Sequence, residues 1–418
     1  MKSPFRTATT VTAALAAISL LASCSGGDSE AEGSSDAAGG TYTWWDPYPQ
    51  HEDGSDWANR VQTCGEEAGV TLERTAYDTT ALTNQTILAA QEGNSPDVVL
   101  LDNPAVSTLS ESGLLSTVDE LGLDTSAVDP NLIGAGELDG ETYGIPIGAN
   151  TLALYYNEDV LEEAGVDPAT VTDWASLTSA LESIEASGSG GMTFAGIGTE
   201  EGSFQFLPWF WGAGADLSEL DSPEAVEALE LWKGWVDDGL VPNTVINNSQ
   251  NTTWEEFLTG EFGFVENGTW QVNSAADAEF PTGVIEIPAQ DGGVAPAPTG
   301  GEFIVAPIQE DVERYDVTRQ IVECMTTPEG FVETANTFAY YIPPTTEGQE
   351  ALLEENADLE TWVSAVQEAK GRTSDNLGTD YPVISEELWT AVQNALSGAA
   401  TPQEALEEAQ ANVEAELG

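Results

Sequence analysis

Asp97-Val98-Val99-Leu100-Leu101 decides the fold class, read together with Thr41-Tyr42-Thr43-Trp44-Trp45 and the Val-Thr-Leu-Glu-Arg stretch at 70–74. The first is a continuous apolar run, the mark of a strand covered on both faces. Between the three stretches lie helical patterns at 53–68, ended by Gly69, and at 80–91, with the punctuation 93–96 after it. Strand, helix, strand, helix, strand makes a βαβ series, hence an α/β sheet. In such sheets ligands sit beyond the C-terminal strand ends. Trp44, Trp45 and Asp46 stand at one such end, and Asp102 and Asn103 at another.

A second series opens with a strand at 152–156. Helices are expected at 160–164 and at 173–186, the latter capped by Thr172 or Asp173. Gly188 to Gly191 reads as a flexible loop. The aromatic stretch 204–211 should open a helix at Pro208. Val226, Leu229, Trp232 and Val236 fall at helical spacing within 223–238. A short helix at 254–259 precedes a strand at 262–265, and further helices are expected near 316–325, 328–336, 385–397 and 402–417.

Composition excludes several functions. The chain has 418 residues, more than one core usually serves, so two lobes are the expectation. Nine basic residues face 73 acidic ones, a net charge of −64, which repels nucleic acid and anionic lipid. A single histidine, His51, removes histidine-rich zinc sites and disfavours a Ser-His-Asp triad. It lies in a polar stretch and is expected at the surface. With so few Lys and Arg, a strongly anionic ligand would find few partners. Aromatics are plentiful, with 12 Trp, 10 Tyr and 12 Phe. That contrast favours a neutral, flat-faced ligand and calls for no cofactor.

Lys2 and Arg6 precede an apolar run at 11–21, too short to span a membrane and built like a signal-peptide core. Leu21-Ala22-Ser23-Cys24 then resembles a bacterial lipobox, whose cysteine carries lipid after cleavage. The resemblance implies an exported protein held on the outer face of the cell membrane through Cys24. Residues 25–40, rich in Gly, Ser and acids, read as a disordered tether. If Cys24 is lipidated, Cys64 and Cys324 remain. An even pair in an exported protein reads as one disulfide, with two buried free thiols as the alternative.

Gly140-Glu141-Thr142-Tyr143-Gly144-Ile145-Pro146 resembles the "G-x-x-Y-G-I-P" segment of family 1 extracellular solute-binding proteins, the maltose-binding-protein-like, sugar-capturing subunits of ABC importers. In family order follow Leu154-Tyr155-Tyr156-Asn157, Ala164-Gly165-Val166-Asp167, Thr172-Asp173-Trp174 and Asn267-Gly268-Thr269-Trp270. Cys324-Met325-Thr326-Thr327-Pro328-Glu329 and the closing stretch 398–410 complete the set. One departure is Phe262-Gly263-Phe264, where the family usually has small residues and Met. The resemblance implies a two-lobed, type II periplasmic-binding-protein-like α/β fold with ligand between the lobes. Lobe one would hold 41–150 with 304–342, and lobe two 151–303 with 343–418. The chain would cross near 149–153, 300–305 and 342–346. Cys64 and Cys324 would then share lobe one, which favours the disulfide. A permease partner and a monomeric state are also implied.

A pyranose has one face of C–H groups and a rim of hydroxyls. Aromatic faces suit the first, and fixed acceptors and donors suit the second. The candidate stackers are Trp44, Trp45, Tyr155, Trp209, Trp211, Trp254, Trp270 and Tyr341. The candidate rim partners are Asp46, Asp102, Asn103, Asn150 and Glu302. Trp270 leads, because the resemblance places a ligand-stacking tryptophan there. Of Trp44 and Trp45, one should point into the core. No residue is assigned a catalytic or metal-binding role. Competing readings are a polyamine carrier, since aromatic boxes with acids suit cations; a ferric-iron carrier using Tyr340-Tyr341; and a surface-anchored glycoside hydrolase with paired carboxylates.

Overall fold

The computed structural model describes residues 41–337, 341–374 and 377–418. Cys24, the signal segment, the tether and Tyr340 lie outside the described residues.

The strand Val98–Asp102 sits at the centre of a five-stranded sheet. Its neighbours are Thr41–Asp46, with Thr71–Ala76 beyond it, and Glu302–Val305, with Ile145–Pro146 beyond that. The first three run parallel, while Glu302–Val305 is antiparallel to both its neighbours. Both faces are covered, which is why the apolar run is unbroken. Val98 and Leu100 enter one core with Trp44, Trp57 and Val61, and Val99 and Leu101 enter another with Val106, Leu109 and Phe303.

Ser55 caps the helix Asp56–Glu67 by accepting from the Ala58 amide. Trp57, Val61 and Cys64 on this helix face inward. Cys64 is joined by a disulfide to Cys324 on the helix Tyr315–Met325, and Arg60 donates to the Cys324 carbonyl at 2.6 Å. His51 is half-buried, its ring edge against Tyr48, so it is less exposed than its polar surroundings imply.

The second sheet has four strands in the order Thr282–Ile285, Leu152–Asn157, Phe262–Gly268, Gly190–Thr193. Asn157 closes its strand and caps the helix Glu158–Ala164, and Asp173 with Ser176 forms a capping box on Trp174–Ser187. Gly190 and Gly191 are strand residues here, not a flexible loop. The aromatic stretch also differs from expectation. Its helix runs Glu200–Gly212, with Pro208 inside it. Proline lacks the N–H an interior helix position uses. The surrounding packing compensates, since every residue from Gly202 to Trp211 is buried, against Pro223–Asp237 and Tyr381–Leu396 among others.

The two sheets make the fold two-lobed. Backbone bridges link Asn150 to Gly300 and Ala149 to Ile342, so three segments run side by side between them. The close approach needs glycine. Gly301 has φ +107°, and a Cβ there would stand 2.7 Å from the Gly148 carbonyl oxygen.

Candidate functional site

Two groups of side chains meet where the sheets face each other. On the five-stranded side, Asp102 ends its strand and caps the helix Asn103–Glu111. Glu302 lies opposite Asp102 across the antiparallel pair. Tyr341 donates its hydroxyl to Glu302 Oε2 at 2.7 Å, and its oxygen is 3.2 Å from the Tyr48 hydroxyl. Burial pushes the Glu302 carboxyl up to about 7, against the hydrogen bonds from Tyr341 and Tyr48. Asn150 packs on Gly300, where a Cβ would lie 2.1 Å from its Oδ1.

On the four-stranded side, Glu200 begins its helix and accepts from the hydroxyls of Tyr381, at 2.7 Å, and Ser385. Arg372 joins the two groups. It donates to Glu200 Oε1 at 2.7 Å and to Asn103 Oδ1 at 3.1 Å, and reaches Asp102 Oδ1 at 3.4 Å. Its guanidinium lies 5.1 Å from the Phe204 ring centre and 5.9 Å from that of Tyr381. Burial disfavours its charge, but Asp102 and Glu200 outweigh that and hold the guanidinium firmly protonated. Phe204 in turn neighbours Trp270 at 6.4 Å between ring centres. Trp270 stands two residues past the end of the strand Phe262–Gly268 and leans on Gly268, where a Cβ would lie 2.1 Å from its ring.

Of the residues expected at the site, Asp102, Asn103, Glu302, Tyr341 and Trp270 fall in or beside this cluster, with Asn150 on the strand crossing next to it. Others are packed away. Trp44 is fully buried, because alternate strand residues face opposite sides and its side faces the core; its Nε1 donates to Asp46. Asp46 is fully buried in an ion pair with Arg74 at 2.6 Å, so it is a structural carboxylate and not a rim partner. Tyr155 is buried between Trp254 and Trp362 and donates to the Gly268 carbonyl. Trp254 is buried and donates to Ser274. Trp209 is buried and donates to Glu266. Trp211 is buried on the same helix, with the Lys370 ammonium over its ring. Trp45 is half-buried, edge-on to Tyr77, on the face opposite Trp44.

Sequence reasoning missed Glu200, Phe204, Arg372, Tyr381, Ser385 and Tyr48. One signal was present. Arg372 is one of only nine basic residues, and a cation that rare in so acidic a chain needs a reason. Among the described residues no group of three or more His, Cys, Asp or Glu side chains could hold a metal ion.

A cleft between two α/β lobes, bridged by side-by-side strand crossings, defines a solute-binding protein fold. Residues 59–403 match the family described as bacterial extracellular solute-binding protein, and the chain belongs to that family. A putative binding protein of Brucella abortus is 26% identical over 236 residues, 54% of this chain and 57% of that protein, so the match spans little over half the relative's length. The maltodextrin-binding protein of Bacillus subtilis is 27% identical over 327 residues, 74% of this chain and 73% of that one. The crystal structure of the cyclic α-maltosyl-1,6-maltose binding protein from Arthrobacter globiformis shares the fold, with a TM-score of 0.76 and 23% identity over 90% of this chain and 98% of that one.

Proposed function

We propose that the protein is the solute-binding subunit of an ABC importer, lipid-anchored through Cys24 on the outer face of the membrane, and that it captures a neutral sugar or oligosaccharide. Lobe one comprises 41–150 with 302–342, and lobe two 151–301 with 343–418; the boundary expected at 303/304 moves because Glu302 and Phe303 pair with Asp102 and Leu101 in the first sheet. Sugar contacts to both lobes bias the closed state, which a monomer then presents to the permease. Binding needs no covalent chemistry.

One observation carries this reading: the cleft's buried guanidinium is already engaged by the protein's own carboxylates. Arg372 is ion-paired with Asp102 and Glu200, and Glu302 is buried with the Tyr341 hydroxyl donating to it. An anionic ligand gains little there. A polyol gains much, because these groups are fixed hydrogen-bond partners beside the rings of Trp270 and Phe204. The Bacillus maltodextrin-binding relative supports maltodextrins as the first class to try.

A thermal-shift panel tests it, with mono- and oligosaccharides, polyamines and ferric citrate each added to the purified protein. A ligand at 100 times its Kd stabilises the fold by about 2.7 kcal/mol, visible as several degrees. A shift confined to one sugar group is expected. A shift confined to polyamine or iron would overturn the reading, and release of reducing ends from an oligosaccharide would move it to a hydrolase.

A further inference from the structure

Arg372 sits in surroundings that would suit a cationic ligand. Two carboxylates of separate elements, Asp102 and Glu200, flank its guanidinium, and Asn103 Oδ1 accepts a third contact. Two aromatic faces, Phe204 and Tyr381, complete the enclosure. Carboxylates plus ring faces are the features that select an alkylammonium or alkylguanidinium ion. The Arg372 side chain is 5% exposed, whereas those of Asp102 and Glu200 are 34% and 41% exposed, so the acids are open to solvent and the cation is not.

We propose that Arg372 is a specificity-determining residue: an internal cation that fills this box and thereby keeps cationic solutes out of the cleft. The inference rests on the cleft being the ligand site. With a net charge of −64, the chain draws cations toward any uncovered acid pair. Arg372 is held in place from both sides. Lys370 exchanges backbone hydrogen bonds with Ala297 and Thr299, each 2.9 Å, and Thr373 donates to the Ala135 carbonyl. The buried Arg372 Nε has no hydrogen-bond partner among the described residues.

Chemical rescue tests this. Arg372→Ala empties the box while leaving both carboxylates. By calorimetry the variant should bind methylguanidinium or agmatine at least tenfold more tightly than the unaltered protein does. Adding Asp102→Asn and Glu200→Gln to Arg372→Ala should abolish the gain. A folded Arg372→Ala variant that takes these cations no better than the unaltered protein overturns the proposal. Should that variant fail to fold, the pair Asp102→Asn and Glu200→Gln with Arg372 kept provides the converse. Its uncompensated guanidinium should bind sulfate, and no anion binding by that folded variant overturns the proposal equally. A neutral-sugar titration of the unaltered protein runs alongside. Loss of sugar binding there sinks the parent reading, whereas a sugar signal without cation gain in the variant sinks only this one.

Discussion

Replacing Asp46 by Asn should destabilise the protein severely without touching ligand affinity. Asp46 Oδ2 accepts from Trp44 Nε1 at 3.0 Å, Trp57 Nε1 at 3.1 Å and Arg74 Nε at 2.6 Å. Oδ1 accepts from the Tyr48 amide at 3.1 Å and Arg74 Nη2 at 2.7 Å. An asparagine removes the charge and turns one acceptor into a donor facing donors. Arg74, 6% exposed, is left buried without its counter-ion. Breaking a buried pair from one side costs about 3–5 kcal/mol. Arg74 keeps its bonds to the His51 and Tyr48 carbonyls, which places the expected loss toward the lower end. Urea unfolding should show the midpoint falling with little change in slope. Sugar affinity of the folded variant should stay within about threefold, the size of an effect below 1 kcal/mol. Unchanged stability with affinity lost tenfold or more would refute the reasoning and return Asp46 to the ligand.

Glu302 predicts a pH dependence of known sign. Its folded value of about 7 lies above the ordinary 4.5, so the folded state holds a proton that the unfolded state has released. The stability it supports is present below about pH 4.5 and is lost as pH rises to about 7, roughly 3 kcal/mol in all. Glu302→Gln should flatten that slope relative to the unaltered protein, and parallel profiles from unfolding at several pH values would contradict it. Glu266 is pushed well above the ordinary carboxylate range by burial, against the bond from Trp209. Glu266→Gln should cost under about 1 kcal/mol in denaturant, whereas Glu266→Leu, which strands Trp209 Nε1, should cost about 1–3 kcal/mol; equal costs would count against this assignment.

The parallel half of the first sheet was legible because local signals suffice. The Val98–Leu101 run, Gly69 and the helical patterns between strands all lie within sixty residues of each other. The resemblance placed a crossing near 300–305, but the antiparallel pairing of Glu302–Val305 with Val98–Asp102 was not legible, since it joins that strand from two hundred residues away and no local pattern records a partner. Pro208 misled because a proline usually opens a helix, and only the packing around it shows why an interior one is tolerated. The aromatics were hardest. Leu152–Asn157 is covered on both faces, so alternation cannot separate a core tyrosine such as Tyr155 from one facing a ligand. Trp44 and Trp45 could be told apart only as a pair. The site's electrostatics were hidden because Asp102, Glu200 and Arg372 are far apart in sequence, and their ion pairing is a property of their meeting.

The account stands on a sugar held between the lobes against Trp270. Titration calorimetry of a maltodextrin series into the protein and its Trp270→Ala variant tests that most directly. Saturable binding to the unaltered protein, weakened by about 2 kcal/mol or more in the variant, is the predicted result. Equal affinity in both would place the sugar elsewhere, and no binding of any neutral saccharide would contradict the account at its root.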